Sequence, residues 1–117
     1  MGASQIHELT NLLLAFRRER DWEQFHNPKD QALSLSLEVA ELLEHMQWKN
    51  GQALKDHLAT VKTEVADELS DVLGWVLLLA NDLEIDLDVA FRKKLLANAE
   101  KYPIDKSHGK ATKYNEL

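Results

Sequence analysis

LSLEVAELLEHM, residues 35–46, decides how this chain folds. Leu35, Leu37, Val39, Leu42 and Leu43 supply apolar side chains at helical rather than alternating spacing, and Glu38 and Glu41 interrupt them three residues apart. Residues three or four apart share a helix face, so the two carboxylates stand together beside the material of a core. A second stretch, EVADELSDVLGW at 64–75, repeats the device. There Glu64, Glu68 and Asp71 form one acidic row among Leu69, Val72 and Leu73. Taken singly, acidic pairs on helices usually face water. Two pairs on consecutive helices of a short chain are a different matter, because antiparallel packing can bring the rows together. Carboxylates gathered near a core repel one another and lose hydration unless a cation joins them. Hard divalent ions take oxygen ligands and leave positions for water and phosphate, so the pattern points to Mg²⁺, with Mn²⁺ as a second choice, and to phosphate chemistry. Glu44 and Asp67 fall on neighbouring faces, as outer groups or plain surface.

Working outward, Ile6, Leu9, Leu12, Leu13 and Phe16 predict a first helix over about 5–20, with Ser4 as its cap. Residues 21–30 read as a loop in which Asn27-Pro28 interrupts any helix and Asp30 caps the next. The second helix is expected over about 31–48, stopping near Asn50-Gly51. Residues 52–57 are ambiguous, and a long third helix is expected over about 58–82. A fourth fits 87–101, with Asp86 or Asp88 at its start, Lys93, Lys94 and Lys101 toward its end, and Pro103 beyond it. The tail from about 103 reads as irregular. The expectation is an all-α four-helix bundle in a single domain, 1–117. From Val72 to Ala80 every residue is apolar or glycine. A helix hydrophobic all round lies at a bundle centre or meets another subunit, which favours self-association as a homodimer or dimer of dimers.

Composition sets outer bounds. The 117 residues include no cysteine, so thiolate metal sites and disulfides are excluded. A net charge of −6 argues against binding a nucleic-acid polymer. Residues 72–80 are too few to cross a bilayer, and the start MGASQIHEL lacks a basic-then-apolar leader, so a cytoplasmic location without membrane contact is expected. Iron-binding bundles carry Glu-x-x-His pairs. Here Glu44 stands three after Glu41 and His45 one place too far, which favours an all-oxygen site.

These pieces resemble the all-α nucleoside triphosphate pyrophosphohydrolase superfamily that includes MazG, and in particular its dCTP pyrophosphatase branch. The resemblance runs through RDWEQFHNP at 20–28, LEVAELLEHMQWK at 37–49, DELSDVL at 67–73, then Lys94, Asn98, Tyr102, Pro103 and KYNEL at 113–117. It implies a Mg²⁺-dependent enzyme that hydrolyses a nucleoside triphosphate, dCTP first, to the monophosphate and pyrophosphate, for nucleotide pool control or house-cleaning. It also implies a dimer, often pairing further, with active sites at subunit contacts. Metal positions match Glu38, Glu41, Glu68 and Asp71. Phosphate-binding positions match Lys94 and Asn98, base-binding candidates are Trp22, His26 and Trp48, and Tyr102 belongs to the same pattern. Glu41 or Glu64 is the candidate to handle the attacking water. Trp75, inside the apolar run, reads as core or interface, and the remaining histidines as structural or surface. Competing readings are a relative acting on dUTP or on a phosphoribosyl nucleotide, and a non-catalytic helical module that binds a metal or nothing.

Overall fold

A computed structural model describes residues 4–117, and every regular element among them is helical. The helices are α1 (Gln5–Glu19), α2 (Pro28–Glu44), α3 (Gly51–Thr60), α4 (Lys62–Asp82), α5 (Leu87–Lys101) and the short α6 (Ile104–Ser107). Single 3₁₀ turns cover Glu23–Phe25 and Tyr114–Glu116. By chain contacts, the residues up to Ile85 form one compact unit and Asp86–Leu117 another. In the first, α2 and α1 both pack on α4.

The all-α expectation holds, with corrections to its boundaries. Asn27-Pro28 begins α2 rather than interrupting it. Asn27 Oδ1 accepts the Asp30 backbone N–H at 3.0 Å while its Nδ2 donates to Asp30 Oδ2 at 2.7 Å. Pro28 then fills the first helical position, where its missing N–H costs nothing. The far end of α2 falls short of 48. Met46 and Gln47 N–H both bond to the Leu43 carbonyl at 2.9 Å, and Trp48 turns into the left-handed region at φ 67°. Asn50-Gly51, read as a stop, stands at the start of α3. The expected helix over 58–82 is divided at Val61, whose φ of −111° and ψ of 26° leave the helical basin. In the tail, α6 and the 3₁₀ turn replace part of the expected irregular chain.

In the second unit, Asp86 accepts the Val89 N–H to cap α5. Tyr114 returns to pack edge-on against Tyr102, with Lys101 over its ring.

Three buried or half-buried polar groups tie the first unit together. Arg17 of α1 is 4% exposed and Gln31 of α2 only 1%. Both reach Asp82, the last residue of α4. Arg17 donates to its two oxygens at 2.8 and 3.0 Å, and Gln31 donates to Oδ2 at 2.7 Å. An acid at a helix C-terminus meets the wrong end of the dipole, so Asp82 depends on these donors. They hold its carboxyl at about 2, the Arg17 hydrogen bond contributing most. Its ordinary value is about 3.9. A depressed acid contributes stability that is complete above its unfolded value and lost as pH falls through the folded one. A melting series should therefore show about 1 kcal/mol disappearing between pH 4 and pH 2 after solvent screening, and the loss should be absent from Asp82→Asn. One turn before Gln31, Asn27→Ala removes the α2 cap. It should cost about 1 kcal/mol and lower Tm by roughly 5 °C in a thermal scan.

Candidate metal and nucleotide site

The helical period puts Glu38 and Glu41 on one face of α2 and Glu68 and Asp71 on one face of α4. Because these helices pack together, the two faces meet. One oxygen each from Glu38, Glu41 and Glu68 lies within 4.8 Å of the other two. Glu38 Oε2 is buried without a hydrogen-bond partner. Burial pushes the Glu38 carboxyl above its usual range, and the negative charges of Glu41 and Asp71 push it further. Glu68 is raised as well, first by a hydrogen bond shared with the Glu41 carboxyl and then by desolvation. His45 opposes that shift, its Nε2 lying 3.7 Å from Glu68 Oε1. The histidine one place too far for a Glu-x-x-His pair thus stands beside the acidic cluster. Glu64, one turn before Glu68, is exposed and outside the three-carboxylate group.

A cavity of about 310 Å³ opens beside this cluster. Glu38 and Asp71 form part of its wall, with Ser70 and Gly74. The rest is largely aromatic and apolar: Leu13, Phe16, Trp22, Trp75, Leu78 and the His26 ring, with Arg17 at the side. Trp22 stands edge-on to Phe16 at 5.8 Å between centroids, and His26 edge-on to Trp75 at 5.2 Å. A Cβ at Gly74 would lie 3.7 Å from the Leu13 side chain, an ordinary packing distance. The structure thus brings together Trp22 and His26, both expected, and adds Trp75. Trp48 does not line this cavity and is 89% exposed on a strained backbone. Lys94 and Asn98 lie on α5 in the second unit, Lys94 exposed and Asn98 half-buried, with Tyr102 closing that helix.

Sequence reasoning missed Arg17, Gln31, Asp82 and the pocket role of Trp75. One signal was available. Asp82 lies two residues past an all-apolar run, at a helix C-terminus where the dipole disfavours an acid, a position that favours a cationic partner.

Residues 33–117 match the model of the MazG-like family. The chain belongs to that family. It is 39% identical over 114 residues to dCTP pyrophosphatase 1 of Mus musculus, covering 96% of this chain and 67% of that protein. It is 35% identical over 119 residues to dCTP pyrophosphatase 1 of Homo sapiens, again with 96% and 67% covered. Its fold superimposes on the crystal structure of a pyrophosphatase from Archaeoglobus fulgidus DSM 4304 with a TM-score of 0.82. That pair is 38% identical over 88% of this chain and 96% of the other.

The donor set fits a hard divalent cation. It offers carboxylate oxygens held close, one of them buried without a hydrogen-bond partner, and burial together with the neighbouring acids raises the Glu38 carboxyl. Without metal these groups oppose folding at neutral pH, because an acid whose folded pKa is raised costs stability above that value. Glu38→Gln should therefore raise Tm in EDTA. Millimolar Mg²⁺ should raise the Tm of the wild type, by about 2.7 kcal/mol of stabilisation when it exceeds Kd a hundredfold, and move the variant far less. A wild-type Tm indifferent to Mg²⁺ and Mn²⁺ would show that the cluster holds neither.

Proposed function

We propose that this chain is a Mg²⁺-dependent nucleoside triphosphate pyrophosphohydrolase that takes dCTP in preference to other nucleotides and releases dCMP and pyrophosphate. The observation that carries this reading is the juxtaposition of an acidic cluster with an aromatic-walled cavity sharing Glu38 and Asp71. One supplies a place for a polyphosphate's counter-ions and the other a place for a base. Family membership and the names of the relatives supply the reaction and the base preference.

Glu38, Glu41, Glu68 and Asp71 would hold the metal, Mg²⁺ or Mn²⁺. When bound, it supplies positive charge against the triphosphate and Lewis acidity at the α-phosphate. The residues of the chain do the rest. Trp22 and Trp75 offer ring surfaces against which a base stacks, and His26 offers a polar edge beside them. Lys94 and Asn98, four apart on α5, are assigned to the phosphate oxygens on sequence pattern alone, and Tyr102 to the substrate on the same ground. Water attacks the α-phosphorus, the bond to the bridging oxygen breaks, and pyrophosphate leaves. Glu41 or Glu64 would take the proton of the water, and Glu64, which lies outside the three-carboxylate cluster, is the one a substitution can test apart from metal binding.

Self-association is part of the reading. Leu12, Leu37, Leu43, Leu69 and Leu73 are all exposed in the single chain. A second groove between α1 and α4 is lined by Leu9, Leu12, Leu73 and Leu77. This much unpaired apolar surface supports a dimer or dimer of dimers, and the exposed Trp48 supports a base-stacking role completed only on assembly. The role in the cell would be nucleotide pool control or house-cleaning. No helix among the described residues is long and apolar enough to cross a membrane.

The decisive experiment measures pyrophosphate release with Mg²⁺ from dCTP, dUTP, dTTP, dATP, dGTP and a phosphoribosyl nucleotide at equal concentration. Preference for dCTP is expected. Preference for a uracil or phosphoribosyl nucleotide would overturn the base assignment, and no release from any would favour a metal-binding interaction module. With dCTP, Glu38→Gln and Glu68→Gln should lose about 100-fold or more in kcat while keeping their helical circular dichroism. Glu64→Gln should lose at least about 10-fold in kcat with Mg²⁺ affinity unchanged by calorimetry. A parallel loss of Mg²⁺ binding would place Glu64 among the ligands instead.

A further inference from the structure

The Arg17–Asp82–Gln31 cluster, with Arg17 and Gln31 buried, is more than a clamp between helices, because one of its members reaches the cavity wall. Arg17 Nη1 lies 2.8 Å from Asp82 Oδ2 and also 3.4 Å from His26 Nδ1. A guanidinium has five N–H donors and no acceptor. The contact is a hydrogen bond only if His26 Nδ1 presents its lone pair. In the neutral ring the proton then sits on Nε2. A ring protonated at both nitrogens, or at Nδ1 alone, would set an N–H against the guanidinium. Trp75, edge-on at 5.2 Å, restrains the plane of the same ring. Arg17 itself cannot swing away. It is held at both terminal nitrogens by Asp82, which Gln31 holds in turn.

From this we infer that Arg17 is a positioning residue, anchored by Asp82 and Gln31, that fixes His26 as an Nε2–H donor for an acceptor atom on a pyrimidine base. The acceptor would be an unprotonated ring nitrogen or a carbonyl oxygen. This deepens the proposed function and rests on reading the cavity as the base pocket. An imidazole free to choose its tautomer would accept or donate as the ligand required, and would select little. With its tautomer fixed, it rejects a base edge that presents a donor at that point, since two N–H groups would then face each other in an apolar pocket.

The test combines a spectroscopic and a kinetic readout. Histidine ring nitrogens are labelled in the full chain, and His26 is assigned by comparison with His26→Ala. The wild type should show Nδ1 unprotonated and Nε2 protonated. Arg17→Met alone leaves Asp82 without its cation and risks unfolding. The informative variant is therefore Arg17→Met/Gln31→Leu/Asp82→Leu, which replaces the whole cluster with apolar side chains of similar size. There the two His26 nitrogens should average between tautomers. KM for dCTP should rise about 10-fold while kcat stays within about twofold. A wild-type His26 protonated on Nδ1 would overturn the proposal. So would a triple variant with an unchanged nitrogen spectrum and KM, or one losing kcat and not KM. If the wild type released pyrophosphate from no nucleotide, the reading of the cavity would fall and this inference with it. That outcome differs from turnover of dCTP with the wrong tautomer, which sinks the inference alone.

Discussion

Mutual repulsion among carboxylates in the seam between α2 and α4 is the constraint around which this structure is arranged. Glu38, Glu41 and Glu68 present oxygens within 4.8 Å of one another, and Glu38 Oε2 is buried with no hydrogen-bond partner. Like charges this close cannot all stay ionised without help. Burial raises the Glu38 carboxyl first and the charges of Glu41 and Asp71 add to it, while a hydrogen bond shared with Glu41 does most to raise Glu68. A fold selected for stability alone would place leucines there. The acidic seam makes sense as a receptor for positive charge, with the energy of binding offsetting the repulsion.

The opposite arrangement holds 65 residues further along the chain from Arg17, where Asp82 is matched to donors rather than to other acids. Arg17, Gln31 and Asp82 satisfy each other so well that the Asp82 carboxyl is held down at about 2. Buried ion pairs add little net stability compared with apolar packing of the same volume. What they add is geometry, because a fork of fixed hydrogen bonds admits few alternative packings. The consequence for the cavity is a wall that does not rearrange. α1 brings Phe16 and Arg17, the following turn brings Trp22 and His26, and α4 brings Trp75 and Gly74.

Helical periodicity made the acidic site legible because i and i+3 positions meet whatever their surroundings. The convergence of Glu38, Glu41 and Glu68 needed only that α2 and α4 pack, and two apolar faces bearing acids at matching places made that the economical solution. The all-helical class followed from the same spacing. Boundaries were harder, since Asn-Pro can interrupt a helix or cap one. Here the Asn27 side chain bonds Asp30 N–H and decides for capping. The bend at Val61 has no proline or glycine to announce it. Trp75 looked like core because a tryptophan in an apolar run normally is. That it also walls a cavity, together with Leu13 and Phe16, depends on how α1 and α4 pack, which only the three-dimensional structure reveals. Asp82 hinted at a cationic partner, but nothing around Arg17 in the sequence marked it as that partner, because the two lie on different helices.

The same periodicity explains why the site is built on helices and not on loops. Glu38 and Glu41, on successive turns of α2, and Glu68 of α4 contribute the carboxylates of the seam, so the spacing of charges along α2 is set by the helical rise of about 1.5 Å per residue. A backbone of that stiffness keeps repelling groups from moving apart, which a loop would permit. The local cost of repulsion is thereby retained instead of relaxed, and a cation bound in the seam, as proposed, would recover it. One residue inserted between Glu38 and Glu41 would turn the following side chains by about 100° and carry one carboxylate out of the seam. The Glu-x-x-Glu and Glu-x-x-Asp spacings are thus mechanical requirements, and the leucines between them are the packing that enforces them.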